Sequence, residues 1–509
     1  MEYKEQIIEI AKKLNTITSN VSFDSKKQIY TIKGHCFLEA KNYYNEEFGI
    51  NLKNMIFKDQ LSFSGFKKLN LNIENDVEVK ELYINDCEEL SLKFYGGIKV
   101  IDKISINKCN FREIFIVKYI SGNIEFQKCN FNDFNLSGLC DVVIKGDFKF
   151  NFCEVKETAN FMNLKFKNKA YFKMSKFKDN VYFNNSHFYD YANFHECEFE
   201  KMASFYGVKF EKVPNFFQAI FKGNLNAVNT NLNFDFDDLE NKIKQEYDFY
   251  EKARVEKETG NLYPEKSLDK FANDFRDSFR VFKNALIKDN NHLDASNFHK
   301  YELYCKEIEL KQSWNKLKNV KNDEDIKQNN SNYSQLVDFL LLRFYRKLCD
   351  HHTDISKSFN SLLIIIGIFS ILSFFIILGF DYFLGFEVSM EGGLYQLLEF
   401  YNKNIKSLIK DHYIIIFFTN LVILSLYMTL LFLCIKFKTM RNVFIALSYV
   451  AIVIIMGISP KIILPVMGIF TDKRVLFDPL SVIGGFYTLM FGFVAYSFIK
   501  TIRKKFHST

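Results

Sequence analysis

Few residues in this 509-residue chain are grouped in a way that suits chemistry. The densest run is Cys349-Asp350-His351-His352-Thr353-Asp354, which brings thiol, imidazole and carboxylate together. Adjacent histidines on a helix point in different directions, so the run reads as a polar belt at headgroup level or a pH-sensitive hinge, and not as a metal centre. A second set, Cys87, Cys109, Cys129 and Cys153, recurs about one repeat apart among Asn, Phe and Ile. Metal ligands usually have a His or a second Cys close by, so this set reads as a stacked column of small buried side chains. There is no GxSxG, Walker loop, HExxH or carboxylate pair in a recognisable setting. We therefore expect no catalytic, cofactor-binding or metal residue, no cofactor and no enzyme.

The bulk composition points instead to architecture. Phe occurs 58 times against one Trp and five Pro, a bias typical of repeats or membrane segments. A formal charge of +7 is too diffuse to imply a nucleic-acid partner. Ten cysteines without a CxxC pair fit a reducing compartment. The opening MEYKEQIIEIAKKLNTITSN lacks the apolar core of a signal peptide, so the first half is expected to stay on the side of synthesis.

Spacing supplies the main signal. Phe stands at 161, 166, 172, 177, 183, 188, 194, 199, 205, 210, 216 and 221, at intervals alternating five and six. Two residues ahead of each Phe stands a mostly small one, such as Ala159, Ala170, Ser175, Ser186, Ala192 or Cys197. Helices and strands have periods of 3.6 and 2, so neither puts residues five and six apart on one face. A chain that turns a corner at each unit closes a four-sided coil after about 22 residues, and such coils stack at the ~4.8 Å spacing of strands.

The segments ANFMNLKF, AYFKMSKF, YANFHECEF and MASFYGVKF resemble the pentapeptide-repeat family. The resemblance covers 159–223 and implies a right-handed quadrilateral β-helix. INDCEEL, INKCNF, FQKCNF and FNFCEV extend the expected β-helix back to 50, giving 1–49 as a helical cap and 50–236 as solenoid. Soluble members of the family imitate DNA with an acidic surface. Residues 151–230 instead hold 11 Lys and 8 acids, 11 − 8 = +3, which does not suit that role.

After the repeats, 237–318 reads as a helical neck. Phe275, Phe279, Phe282 and Leu286 form one stripe and Ala295, Phe298, Tyr301 and Ile308 a facing one, with a turn at 289–292 and Asp294 as the expected cap. FRVFKNALIKDNNHLDASNFHKYE is similar to the tetratricopeptide-like segment of membrane-attached pentapeptide proteins. The expected role is a cap over the open solenoid end. Residues 319–335 read as a polar linker, and LVDFLLLRFYRKL as a helix lying along the inner leaflet.

The rest, 336–509, is expected to form a membrane domain with about four spans, at 359–380, 413–435, 442–462 and 479–499. Eleven Lys and Arg flank one side and six the other, which predicts both termini inside. The segment 394–409 carries an amphipathic stripe, read as interfacial, and Gly484 and Gly485 read as close helix contacts. No potassium-type filter is present. The expectation is a multi-pass protein of the bacterial inner membrane whose β-helix binds a cytoplasmic protein partner. Its other contacts would be the bilayer and a second copy of itself, with no nucleic acid. The alternative is an ion channel or gated pore with the β-helix as a regulatory or oligomerising domain.

Overall fold

The computed structural model describes residues 2–42, 47–74, 77–95, 99–116, 119–136, 142–256, 266–319, 329–385, 393–458 and 477–506. The chain divides into two units, Met1–Lys321 and Asn322–Thr509.

The first unit opens with helix α1 (Glu2–Lys13), whose Ala11, with the following Leu14, joins the core that holds Val21, Cys36 and Leu38. Strand pairing begins at Val21–Asp24, antiparallel to Ile29–Ile32, and later pairings among the described residues are parallel. The solenoid thus starts well ahead of the expected boundary at 50. Ile29–Ile32 and Cys36–Glu39 both pair with Met55–Ser64 and form its first layer. No Phe ladder marks them.

The early coils have two long sides. Lys68–Ile73 pairs residue for residue with Glu89–Phe94, and Glu78–Asn85 runs beside Lys99–Asn107 on the opposite sheet. Apolar residues alternate along these strands, so the period of 2 holds over a whole side before the chain turns. From Tyr119 two more sheets appear, and from Ala159 each side is a two-residue strand. Here the coil has four sides and a period of 22, with Lys165 paired to His187, Ala170 to Ala192, Lys176 to Glu198 and Val181 to Ala203.

Aromatic rings fill this square. Phe161, Phe183 and Phe205 stack at 4.8 and 5.0 Å, and Phe172, Phe194 and Phe216 at 4.8 and 4.7 Å with planes 2° and 1° apart. Adjacent columns meet edge to face, as Phe172 and Phe183 do at 89°. The two arrangements favoured by the ring quadrupole therefore alternate through the core, along and across the axis.

Helices α2 (Phe236–Glu256), α3 (Leu268–Lys288) and α4 (His292–Asn319) follow. Phe282 of α3 packs on Phe216 at 4.7 Å and reaches Phe205 and Phe221, so the hairpin closes the end of the aromatic columns. Tyr301 of α4 donates to the carbonyls of Leu232 and Phe234, at 2.9 and 3.0 Å, satisfying backbone that would face an absent next coil. The α4 cap differs from expectation. The Asn291 side chain accepts from the Asp294 amide, while the Asp294 carboxylate accepts from the Asn229 amide and pins the hairpin to the last coil.

The second unit contains α5 (Asn329–Cys349), α6 (Ile355–Phe383), α7 (Gly393–Lys436), α8 (Lys438–Ile458) and α9 (Pro479–Phe506). Three stretches are long and apolar enough to cross a membrane: Ile355–Phe383, Gln396–Lys436 and Pro479–Arg503. The third expected span, 442–462, coincides with α8 up to Ile458 but is not among these three, and 459–462 lie outside the described residues. Helix α5 starts inside the stretch read as a linker; 320–328 of that stretch are likewise outside.

Two details of this unit overturn the sequence reading. The stripe Leu397, Tyr401, Ile405 and Ile409 is covered by protein, clustering with Ile376 of α6 and Leu480 and Ile483 of α9. The segment therefore folds onto the bundle, and helical geometry breaks at His412 (φ −135°, ψ 36°). A Cβ on Gly484 or Gly485 would meet nothing within 4 Å, whereas one on Gly367 would collide with Ser448. Close approach of helices is thus set by α6 against α8.

Candidate functional site

The cysteine column follows from the corners. Asp86, Lys108, Lys128, Phe152, Met174, Glu196 and Gln218 all have φ between 53° and 57°. A left-handed residue reverses the chain at the end of a side, and the residue after it turns inward. Those next residues are Cys87, Cys109, Cys129, Cys153, Ser175, Cys197 and Ala219. Cys109 Sγ lies 3.7 Å from the carbonyl of Ile84, Cys129 Sγ 3.5 Å from that of Ile106, Cys153 Sγ 3.5 Å from that of Phe126, and Ser175 Oγ donates to Phe150 at 2.7 Å.

Each of these small donors satisfies a carbonyl in the preceding coil. A second corner column repeats the device with Ser186 donating to Phe161 at 2.5 Å and Thr230 to Phe205 at 2.9 Å. Cys, Ser and Thr interchange at this geometric position as short donors, while Ala219, Leu164 and Val208 occupy it as apolar side chains alone. Burial pushes the Cys197 thiol well up from its ordinary range. Among the described residues no three His, Cys, Asp or Glu are gathered to hold a metal. The sequence reading named packing for this column and missed the hydrogen bond. Serine at 175 and 186 was the available clue.

The outer faces carry ion pairs one coil apart. Lys178 meets Glu154 at 2.9 Å, Lys176 meets Glu198 at 3.2 Å, Lys201 meets Asp179 at 2.7 Å and Lys103 meets Glu125 at 2.6 Å. Exposed pairs of this kind contribute little stability, but they set a regular alternation of charge along the cylinder. Apolar rings interrupt it at Tyr95 and Phe115, both more than a third exposed and 6.3 Å apart on successive coils.

Between α3 and α4, Glu302 receives Lys283 at 2.7 Å, His299 at 3.0 Å and Arg280 at 3.1 Å. Burial alone would raise its pKa; the hydrogen bonds from His299, Lys283 and Arg280 outweigh burial and bring it down to about 2.

The 349–354 run forms a tight turn between α5 and α6. Asp350, His351 and His352 are successively left-handed, with φ of 51°, 56° and 66°. Asp354 caps α6 by accepting from the Lys357 amide at 2.9 Å, and His352 Nδ1 lies 3.3 Å from the Ser497 carbonyl and from Thr501 Oγ1 on α9. Arg441 of α8 donates to the Lys347 carbonyl at 2.6 Å, and Ser361 to that of Leu348 at 2.8 Å, which closes the end of α5. These residues join four helices.

Helix α6 also runs past the expected end of its span at 380 and so includes Asp381, which is 1% exposed with neither carboxylate oxygen hydrogen-bonded. Near the start of α9, Asp478 accepts from the Tyr401 hydroxyl at 2.7 Å and from the Ser481 hydroxyl at 2.7 Å.

Residues 150–198 match the family described as "Pentapeptide repeats (9 copies)". Over 93 residues the chain is 32% identical to "Peroxisome biogenesis factor 3" of Dictyostelium discoideum, a stretch amounting to 18% of this chain and 23% of that protein. No solved structure matches. Repeat spacing, four-sided coil and family match coincide, so this part of the solenoid is built of pentapeptide repeats.

Proposed function

We propose that this protein is a membrane-anchored scaffold that carries out no catalysis and offers the side of its solenoid to a protein partner. The observation that carries this reading is the exposed, neighbouring pair Tyr95 and Phe115 on a surface that also carries ladders of Lys and acidic residues. Apolar rings with a charged surround suit the centre and rim of a protein interface. Both solenoid ends are covered by helices, which leaves the flanks for binding. The excess of basic residues beside one side of the spans supports a cytoplasmic solenoid at a bacterial inner membrane.

The test replaces both rings, Tyr95→Ser with Phe115→Ser, in the full chain and compares proteins co-purified after in-cell crosslinking. The reading requires a specific partner lost from the double variant while the melting temperature is kept; an unchanged set of crosslinks would refute it.

A gated pore is the second reading, favoured by the buried Asp381, because an ionisable group within a membrane helix usually serves an ion path. Planar-bilayer recordings decide it: discrete currents altered by Asp381→Asn would support a pore, and silence would end that reading.

A further inference from the structure

Helix α2 runs beside the solenoid and leaves a groove of about 620 Å³ between them. We propose that this groove binds a short polyphosphate chain. Lys169 and Lys173 flank Tyr171 on one coil, and Lys212 stands two coils further on, all lining the groove. Two layers of stacked strands span about 10 Å, a separation that a chain of phosphates bridges and a single phosphate does not.

The charge pattern here differs from that of the neighbouring ion-paired ladder. Lys176, Lys178 and Lys201 are each neutralised by an acid one coil away. Among the described residues, no carboxylate lies within ion-pair distance of the Lys169, Lys173 or Lys212 ammonium groups.

Three acids also line the groove, each hydrogen-bonded within the protein. Asp190 accepts from the Tyr191 amide at 2.7 Å, Asp238 from the Asp235 amide at 3.1 Å, and Glu246 from the Tyr191 hydroxyl at 2.7 Å while pairing with Lys242 at 2.8 Å. That Lys242 ammonium also sits 3.3 Å above the Tyr191 ring, so the inner wall is internally satisfied. The three outer cations line the groove, Lys169 and Lys212 exposed and Lys173 half-buried with its ammonium 5.7 Å from the Tyr171 ring. Phe249, 68% exposed at the rim, gives a flat surface for a ring attached to the phosphates.

A soluble nucleotide and a polyphosphorylated lipid headgroup share this chemistry, and the experiment separates them. The full chain in phosphatidylcholine nanodiscs is titrated calorimetrically with inorganic tripolyphosphate and with ATP. The expected result is saturable binding that the triple variant K169Q/K173Q/K212Q weakens about tenfold or more, while the control K176Q/K178Q/K201Q changes it less than about twofold.

Absence of saturable binding by the unaltered protein, or equal losses in the two triple variants, overturns the proposal. Matching circular dichroism of both variants excludes misfolding as the cause. Nanodiscs containing phosphatidylinositol bisphosphate supply the second arm: suppressed ATP binding identifies the headgroup as occupant, and undiminished binding identifies the soluble ligand. This site is independent of the scaffold reading, whose test alters other residues.

Discussion

Replacing Phe183 with Ala removes one ring from the middle of a filled column. The ring is fully buried, stacked between Phe161 at 4.8 Å and Phe205 at 5.0 Å, and meets Phe172 and Phe194 edge-on at 5.3 and 5.4 Å. Truncation of a buried Phe costs about 3–5 kcal/mol, and the value rises with the part of the cavity that fails to collapse.

Collapse is resisted here, because backbone hydrogen bonds to the coils on either side fix the spacing; the Phe183 amide itself donates to the Ser204 carbonyl at 2.8 Å. We therefore expect a loss near about 5 kcal/mol, toward the top of that range. The companion Lys178→Ala removes one exposed ion pair and should be nearly neutral. The single Trp, Trp314 on α4, reports unfolding of the first unit by fluorescence in a urea titration of the detergent-solubilised chain. Shifts of equal size for the two variants would refute an inward-facing ladder.

Other outcomes follow from the corners, the cap and the helix bundle. Ser186→Ala leaves the Phe161 carbonyl and the Leu164 amide without their partner and should cost about 1–3 kcal/mol, with Ser186→Cys milder, both read by the same titration. Cys87, Cys109, Cys129, Cys153 and Cys197 should resist a disulfide-exchange reagent in the folded protein and react together on unfolding; fast labelling of any one of them in the native state would contradict their role in the corners. Glu302 has a folded pKa of about 2, below its unfolded value, so its contribution is complete at neutral pH and is lost as pH falls from about 4.5 towards 2. The melting temperature should fall over that window, and Glu302→Gln should flatten the fall. Gly367→Val should drive α6 away from Ser448 on α8 and lower the detergent melting temperature, whereas Gly484→Val should not.

The alternating intervals of five and six were enough to determine the four-sided coil, because no regular helix or strand brings such positions to one face. Length and lack of charge likewise determined the apolar helices. Tertiary structure decided what depended on partners distant in the chain. The first layers at 21–39 have no ladder of their own and exist through pairing with Met55–Ser64. The Cys and Ser of the corners take their purpose from carbonyls some 25 residues earlier, as Ser186 does from Phe161. The stripe around Tyr401 reads from the sequence as interfacial, and only the cover given by α6 and α9 turns it towards protein. Periodicity is a property of neighbouring residues and survives in the sequence; burial against a remote segment is a property of the folded chain alone.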